Sequence, residues 1–194
     1  MNLHMAKYTP LKGSSYIPLP KKLRDKKAII NVQNADNRCF MWSILEALHP
    51  IQYDHHPYRI HHYEPFTNEL NFEGIEFPVA IDKVSKFGRQ NKISVNVFGY
   101  DEKKIFPRFL SQETYPTHVN VLLYSRGAVN HYCLIKNLNQ FLSSQSKHNG
   151  EMYFCYHCLH GFVRQDLLDE HLPHCVSVST VVSVLSSLTR ITSS

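Results

Sequence analysis

Residues 28–50 read AIINVQNADNRCFMWSILEALHP. The first six form an apolar run with β-branched side chains and read as a short buried strand. The polar string NADNR breaks it, and a helix is expected over 39–49. Asp36 or Asn37 can cap its start, and Pro50 ends it. Phe40, Ile44 and Leu48 share one face, which Leu45 widens. A strand, a polar turn and a helix that opens on Cys39 therefore set the frame of the fold.

Working outward, residues 51–73 are irregular and rich in His, Tyr and Pro. Pro78 opens a helix to about residue 87, with Ile81 and Val84 inward. ISVNVFGY (93–100) alternates as a strand does. Residues 105–110 read as another strand, broken by Pro107. VNVLLY (119–124) and HYCLIK (131–136) flank SRGAVN and read as a hairpin. A short helix follows over 137–144. The fold class is α+β, an N-terminal helix packed on a small antiparallel sheet. The expected organisation is an extended arm (1–27), this domain (28–144), a linker (145–150), a finger (151–175) and a tail (176–194). The tail, VSVSTVVSVLSSLTRITSS, holds one charge and no turn chemistry. It reads as disordered and aggregation-prone.

The finger is YFCYHCLHGFVRQDLLDEHLPHC, residues 153–175. Cys155 and Cys158 stand on a C-x2-C turn, and His171 and Cys175 are four apart, on one face of a helix. Four such ligands suit one structural Zn2+ in a tetrahedron. Phe162 and Leu168 supply a miniature core, and the spacing is that of a ββα finger. A unit this small needs the metal to fold, which contributes about 10–16 kcal/mol apparent. With His171 as helix position 7, the base-reading positions fall on Arg164, Leu167 and Glu170. Only Arg164 suits guanine. Four acids and one base occupy residues 151–175, a balance that repels phosphate. The finger reads as structural, or as a contact for a protein partner.

Cys39 with His131 is the second constellation. A helix start lowers a thiol pKa, and a helix-borne Cys followed by a strand-borne His is the layout of thiol hydrolases. Gln33, six residues before Cys39, occupies the place of an oxyanion donor in papain-like enzymes. Asp36 and Cys39 make a D-x-x-C string that resembles ovarian-tumour-type deubiquitinases, and HYCLIKN resembles their histidine strand. Asn137 or Asp36 is the candidate to orient His131. The competing reading makes Cys39 an ordinary core residue. The histidine-rich run HHPYRIHHY (55–63) reads as a surface loop.

The chain has 194 residues, 43% hydrophobic, and a formal charge of +5. That is globular composition. Residues 1–30 carry seven basic residues and one acid. Lys21, Lys22, Arg24, Lys26 and Lys27 form a patch that suits nucleic-acid backbones. No apolar leader or membrane-length run is visible. The expectation is an intracellular, nuclear protein with no membrane contact.

The ordered segments KYTPLKGSSYIPLPKKL, INVQNADNRCFMWSILEALHP, FPVAIDKVSKFGRQNKISVNVFGY and HVNVLLYSRGAVNHYCLIKNL, followed by the finger, resemble one known block. It is similar to the region preceding the exonuclease domain in family B DNA polymerases of Polinton (Maverick) transposons. The resemblance implies a mobile-element origin and a truncated copy with neither polymerase nor exonuclease activity. The leading expectation is a non-catalytic zinc-binding module that contacts nucleic acid or replication proteins. The alternatives are a papain-like cysteine peptidase or deubiquitinase and an inert relic. Gly88 stands where the resemblance calls for glutamate.

Overall fold

The structure is a computed structural model and describes residues 16–101, 104–143 and 150–175. The first fifteen residues of the arm, most of the linker and the whole tail lie outside the described residues. Helix α1 (Lys21–Arg24) precedes strand β1 (Ile29–Ile30) and helix α2 (Cys39–Leu48). Short 3-10 turns fill much of 53–69. Helix α3 (Ile81–Asn91) leads into β2 (Ile93–Asp101), β3 (Lys104–Phe109), β4 (Thr117–Arg126) and β5 (Val129–Ile135). Helix α4 (Leu138–Leu142) closes the domain. Strands β6 (Tyr153–Phe154) and β7 (Gly161–Phe162) and helix α5 (Gln165–His171) follow. Among the described residues no helix is long and apolar enough to cross a membrane.

Five strands form one sheet in the order β1-β5-β4-β2-β3. It is not wholly antiparallel, as the sequence led us to expect, because β2 and β4 run parallel. β3 hairpins back to the outer edge of β2, so the chain must return before β4 can pair. Pro107 does not break β3. It lies on the edge strand, beside a register shift at Val97 and Phe98, where a missing N–H leaves no ladder bond unmade. Helix α2 starts where expected, but its N-cap is Arg38, whose side chain caps nothing. Asp36 instead accepts the Arg38 N–H at 3.0 Å and the Trp42 indole N–H at 3.1 Å, tying the turn to the helix.

The strand alternation sorts side chains into two layers. On one face Val95, Val97, Val119, Val121, Tyr132 and Leu134 meet α2 and α3 through Phe40, Ile44, Val84 and Phe87. On the other, Phe98, Leu122, Cys133 and Ile135 meet Leu19, Leu23 and α4. α3 runs past the residue-87 end read from the sequence to Asn91, and Lys92 then turns left-handed at φ 55°. A Cβ on Gly88 would meet the Ile93 carbonyl oxygen at 2.8 Å, so this close helix-to-strand turn excludes glutamate there.

Glu46, on α2, is 1% exposed, and neither carboxylate oxygen has a hydrogen-bond partner among the described residues. It lines a cavity of about 290 Å³ beside Lys136. Burial pushes its pKa up to about 9, against a smaller downward pull from Lys136. The folded chain thus holds a proton that the unfolded chain releases above about 4.5. Stability from this group is present below that value and is lost as pH rises through about 9. At pH 7 the penalty is about 3 kcal/mol. Glu46→Gln is expected to stabilise the protein by about that amount at pH 7 and to leave it unchanged near pH 4. Urea melts of both proteins across this range, taken as a difference, cancel every other titrating group. A difference that does not vary with pH would show that Glu46 ionises freely in the fold.

Candidate functional site

Two groups of chemistry-bearing side chains come together. The first is the metal group. Cys155 leaves β6 into a turn whose Leu159 adopts φ 60° and donates its N–H back to the Cys155 carbonyl at 2.9 Å. Cys158 lies inside that turn. His171 ends α5, and Cys175 follows a 3-10 turn. The four ligand atoms all lie within 4.8 Å of one another. Cys155 Sγ is 3.5 Å from Cys175 Sγ, and Cys158 Sγ is 3.3 Å from His171 Nε2. A zinc tetrahedron with bonds of about 2.0–2.3 Å has edges of roughly 3.3–3.8 Å. The donor set fits one metal ion such as zinc. Burial and the neighbouring thiols push the Cys175 thiol up to about 12. Three thiolates this close call for a cation among them. Among the described residues no other His, Cys, Asp and Glu group can hold a metal. In the histidine-rich run, His62 Nε2 instead meets the His55 carbonyl at 2.9 Å.

The finger is seated on the sheet. Buried Asn96 on β2 donates to the Tyr156 carbonyl at 2.7 Å and accepts the Ser111 N–H at 2.9 Å. Asn139 on α4 accepts the Phe154 N–H at 3.0 Å. The His118 ring lies 4.9 Å from that of Tyr156. Phe154 and Leu159 pack on the apolar cluster beneath α4. Arg164, the one good base reader, is held by Asp166 at 2.9 Å through Nε and by a second bond through Nη2.

The second group surrounds Cys39. β1 ends opposite Leu134, so the next open edge position of β5 is Tyr132. α2 takes the place of the strand there. Cys39 Sγ accepts the Tyr132 N–H at 3.4 Å, and Ser43, one turn on, donates its hydroxyl to the Tyr132 carbonyl at 3.2 Å. The Tyr132 nitrogen is about 2.4 Å from the preceding Cα, which places Cys39 Sγ within about 6 Å of His131 Cα. His131 Nε2 meets Asn31 Oδ1 at 2.6 Å. Asn31 Nδ2 donates to the Ile17 carbonyl at 2.9 Å. That second bond fixes the amide, so Oδ1 faces the ring. An amide oxygen only accepts, hence Nε2 carries the hydrogen and Nδ1 the lone pair of the neutral ring. Burial pushes His131 down to about 4, which keeps it neutral at pH 7. Tyr16 closes over it edge-on, ring centroids 5.9 Å apart.

Asn31 was not among the residues singled out from sequence. Of those that were, Asn137 caps α4 by accepting the Gln140 N–H at 2.9 Å, and Asp36 serves the turn described above. Gln33 is exposed and lines a groove of about 500 Å³ with Asn31 and Tyr16. Cys133 donates to Asn31 at 3.4 Å from the face opposite Tyr132. Its thiol is pushed well up by burial first and by the charges of Cys39 and Glu46 next. In the basic patch, Lys21 pairs with Asp25 and Lys26 donates to the Phe141 carbonyl at 2.8 Å, while Lys22, Arg24 and Lys27 are exposed. No family model, curated protein or solved structure matches this chain.

Proposed function

We propose that this chain is a thiol hydrolase of the papain-like kind whose finger is a structural zinc staple. The observation that carries the reading is Asn31 holding His131 Nε2, with the α2 thiol beside the same strand. Cys39 stands at the first turn of a ten-residue helix, where the dipole and a donated amide favour a thiolate. In this reading the Cys39 proton passes to His131 Nδ1. The sulfur then adds to an acyl carbon, and the amine leaves with that proton. Water releases the acyl group and regenerates the thiol. A thiolate next to His131 would raise its pKa again by opposite charge, and Gln33 would face the developing oxyanion. Four acids against one base over residues 151–175, and Lys26 turned onto the Phe141 carbonyl, give less support to a finger or arm that reads nucleic acid.

Cys39 is 1% exposed and His131 is 0% exposed, so a substrate reaches them only when covering groups move, and Tyr16, edge-on to the His131 ring, is one of these. The test is a neutral peptidyl vinyl sulfone with adducts located by mass spectrometry. Wild type is expected to add at Cys39 and not at Cys133, faster in Tyr16→Ala, and Cys39→Ala is expected to give no adduct. Cys39 that reacts no faster than in urea-unfolded chain, in both wild type and Tyr16→Ala, would overturn the hydrolase. The non-catalytic zinc-binding module would then stand.

A further inference from the structure

The groove beside the Cys39 group has walls of unequal character. Three cations, Arg24, Lys27 and Lys136, line it, and none of its lining residues is a carboxylate. Tyr16 and Tyr58 also line it. The chain at 29–31, which is β1 and Asn31, lines it as well. Among the described residues β1 is the end strand of the sheet, its inner side pairs with β5, and just past it Gln33 bridges Arg59. The groove therefore exposes a strand edge, the feature an extended peptide uses to add itself to a sheet. One end is closed where the Gln33 N–H donates to the Tyr58 carbonyl at 2.7 Å. The other elements of the thiol group, Asn31 and Tyr16, border the same space. About 500 Å³ is within the ordinary range for a ligand cleft.

We propose that this groove binds an extended acidic peptide as an added strand along β1, delivering its acyl carbon toward Cys39. That the peptide is a substrate rests on the thiol reading, whereas its binding does not. Basic residues with tyrosines also suit single-stranded nucleic acid. The strand edge favours the peptide, because the outward N–H and C=O groups of a short end strand pair with a peptide backbone and not with stacked bases.

The experiment uses the full chain carrying Cys39→Ala, so that nothing is turned over. Fluorescence anisotropy compares a labelled eight-residue peptide alternating Glu and Val with its Lys and Val counterpart and with an eight-nucleotide oligo-dT. The acidic peptide is expected to bind at least about 10-fold more tightly than the basic one at low salt. The preference should shrink as salt screens it, and Arg24→Glu with Lys27→Glu should abolish it. Equal binding of the two peptides, or tighter binding of oligo-dT, overturns the proposal. Vinyl sulfones bearing the same two peptides, applied to chain with Cys39 intact, separate the two readings. Adducts without charge preference leave the hydrolase and remove the groove's role. Acidic binding without adducts leaves the groove and removes the hydrolase.

Discussion

Stripping zinc from this protein is expected to unfold the finger and to lower the melting temperature of the whole chain by about 10 °C. Structural zinc contributes about 10–16 kcal/mol apparent to finger-sized units, and residues 150–175 bury only Cys155 and Leu168 among their apolar side chains. Nothing else in that segment offsets the loss. The effect passes into the sheet because the finger is hydrogen-bonded to it. Without it, buried Asn96 loses the Tyr156 carbonyl and Asn139 loses the Phe154 N–H. Each unsatisfied group costs about 1–3 kcal/mol when it remains buried. The measurement is one zinc per chain by elemental analysis, followed by calorimetry with and without chelator. Cys155→Ser should reproduce the chelated state. A protein that binds no zinc, or melts identically without it, would show that the four ligands are only neighbours. Asn96→Ala provides the coupling test: the domain should weaken while the finger retains its metal.

Removing Asn31 is the second large effect. Asn31→Ala is expected to slow Cys39 adduct formation by about 100-fold, the lower end of what a positioned proton acceptor supplies. The reason lies in the tautomer. Asn31 Oδ1 accepts from Nε2 at 2.6 Å and thereby leaves the lone pair of the ring on Nδ1, where the proposed base must carry it. Without it the ring can rotate or carry its hydrogen on the other nitrogen. Stability falls as well, so the rate alone does not separate positioning from packing. Asn31→Asp does. Its carboxylate accepts the same bond and adds a negative charge, which raises the His131 pKa from its buried value near 4. The acid limb of the pH–rate profile should then move upward while the rate at neutral pH is retained. A profile that is the same in wild type, Ala and Asp variants would make Asn31 a packing residue and His131 a core histidine.

The parts of this fold that repeat locally could be read in advance. The helix that opens on Cys39 has an apolar face at i, i+4 spacing, and the finger ligands follow C-x2-C and H-x3-C spacing, all within a few residues, although Cys175 lies past the end of α5, after a 3-10 turn, and not on the helix face expected for it. The parallel β2–β4 pair could not be read, since two strands separated by a hairpin partner look alike in either direction. Nor could Asn31. It lies 100 residues from His131 in sequence, and nothing local separates it from Asp36 or Asn137, which have the same acceptor chemistry. Arg164 pairs at the surface with Asp166, two residues on, a contact that the spacing allowed but did not announce. Spacing names the residues that can meet, and only tertiary structure decides which do.

Strand β1 is two residues long, yet it closes a loop of more than a hundred residues when Ile29 pairs with Ile135. Such pairings are entropically late, because the intervening chain must already be compact. The Asn31–His131 contact sits one step beyond that closure. On a ribosome the thiol at position 39 emerges long before His131 and the strand that carries it. Any reactivity of Cys39 that depends on the Tyr132 and His131 contacts therefore switches on only when β5 is in place.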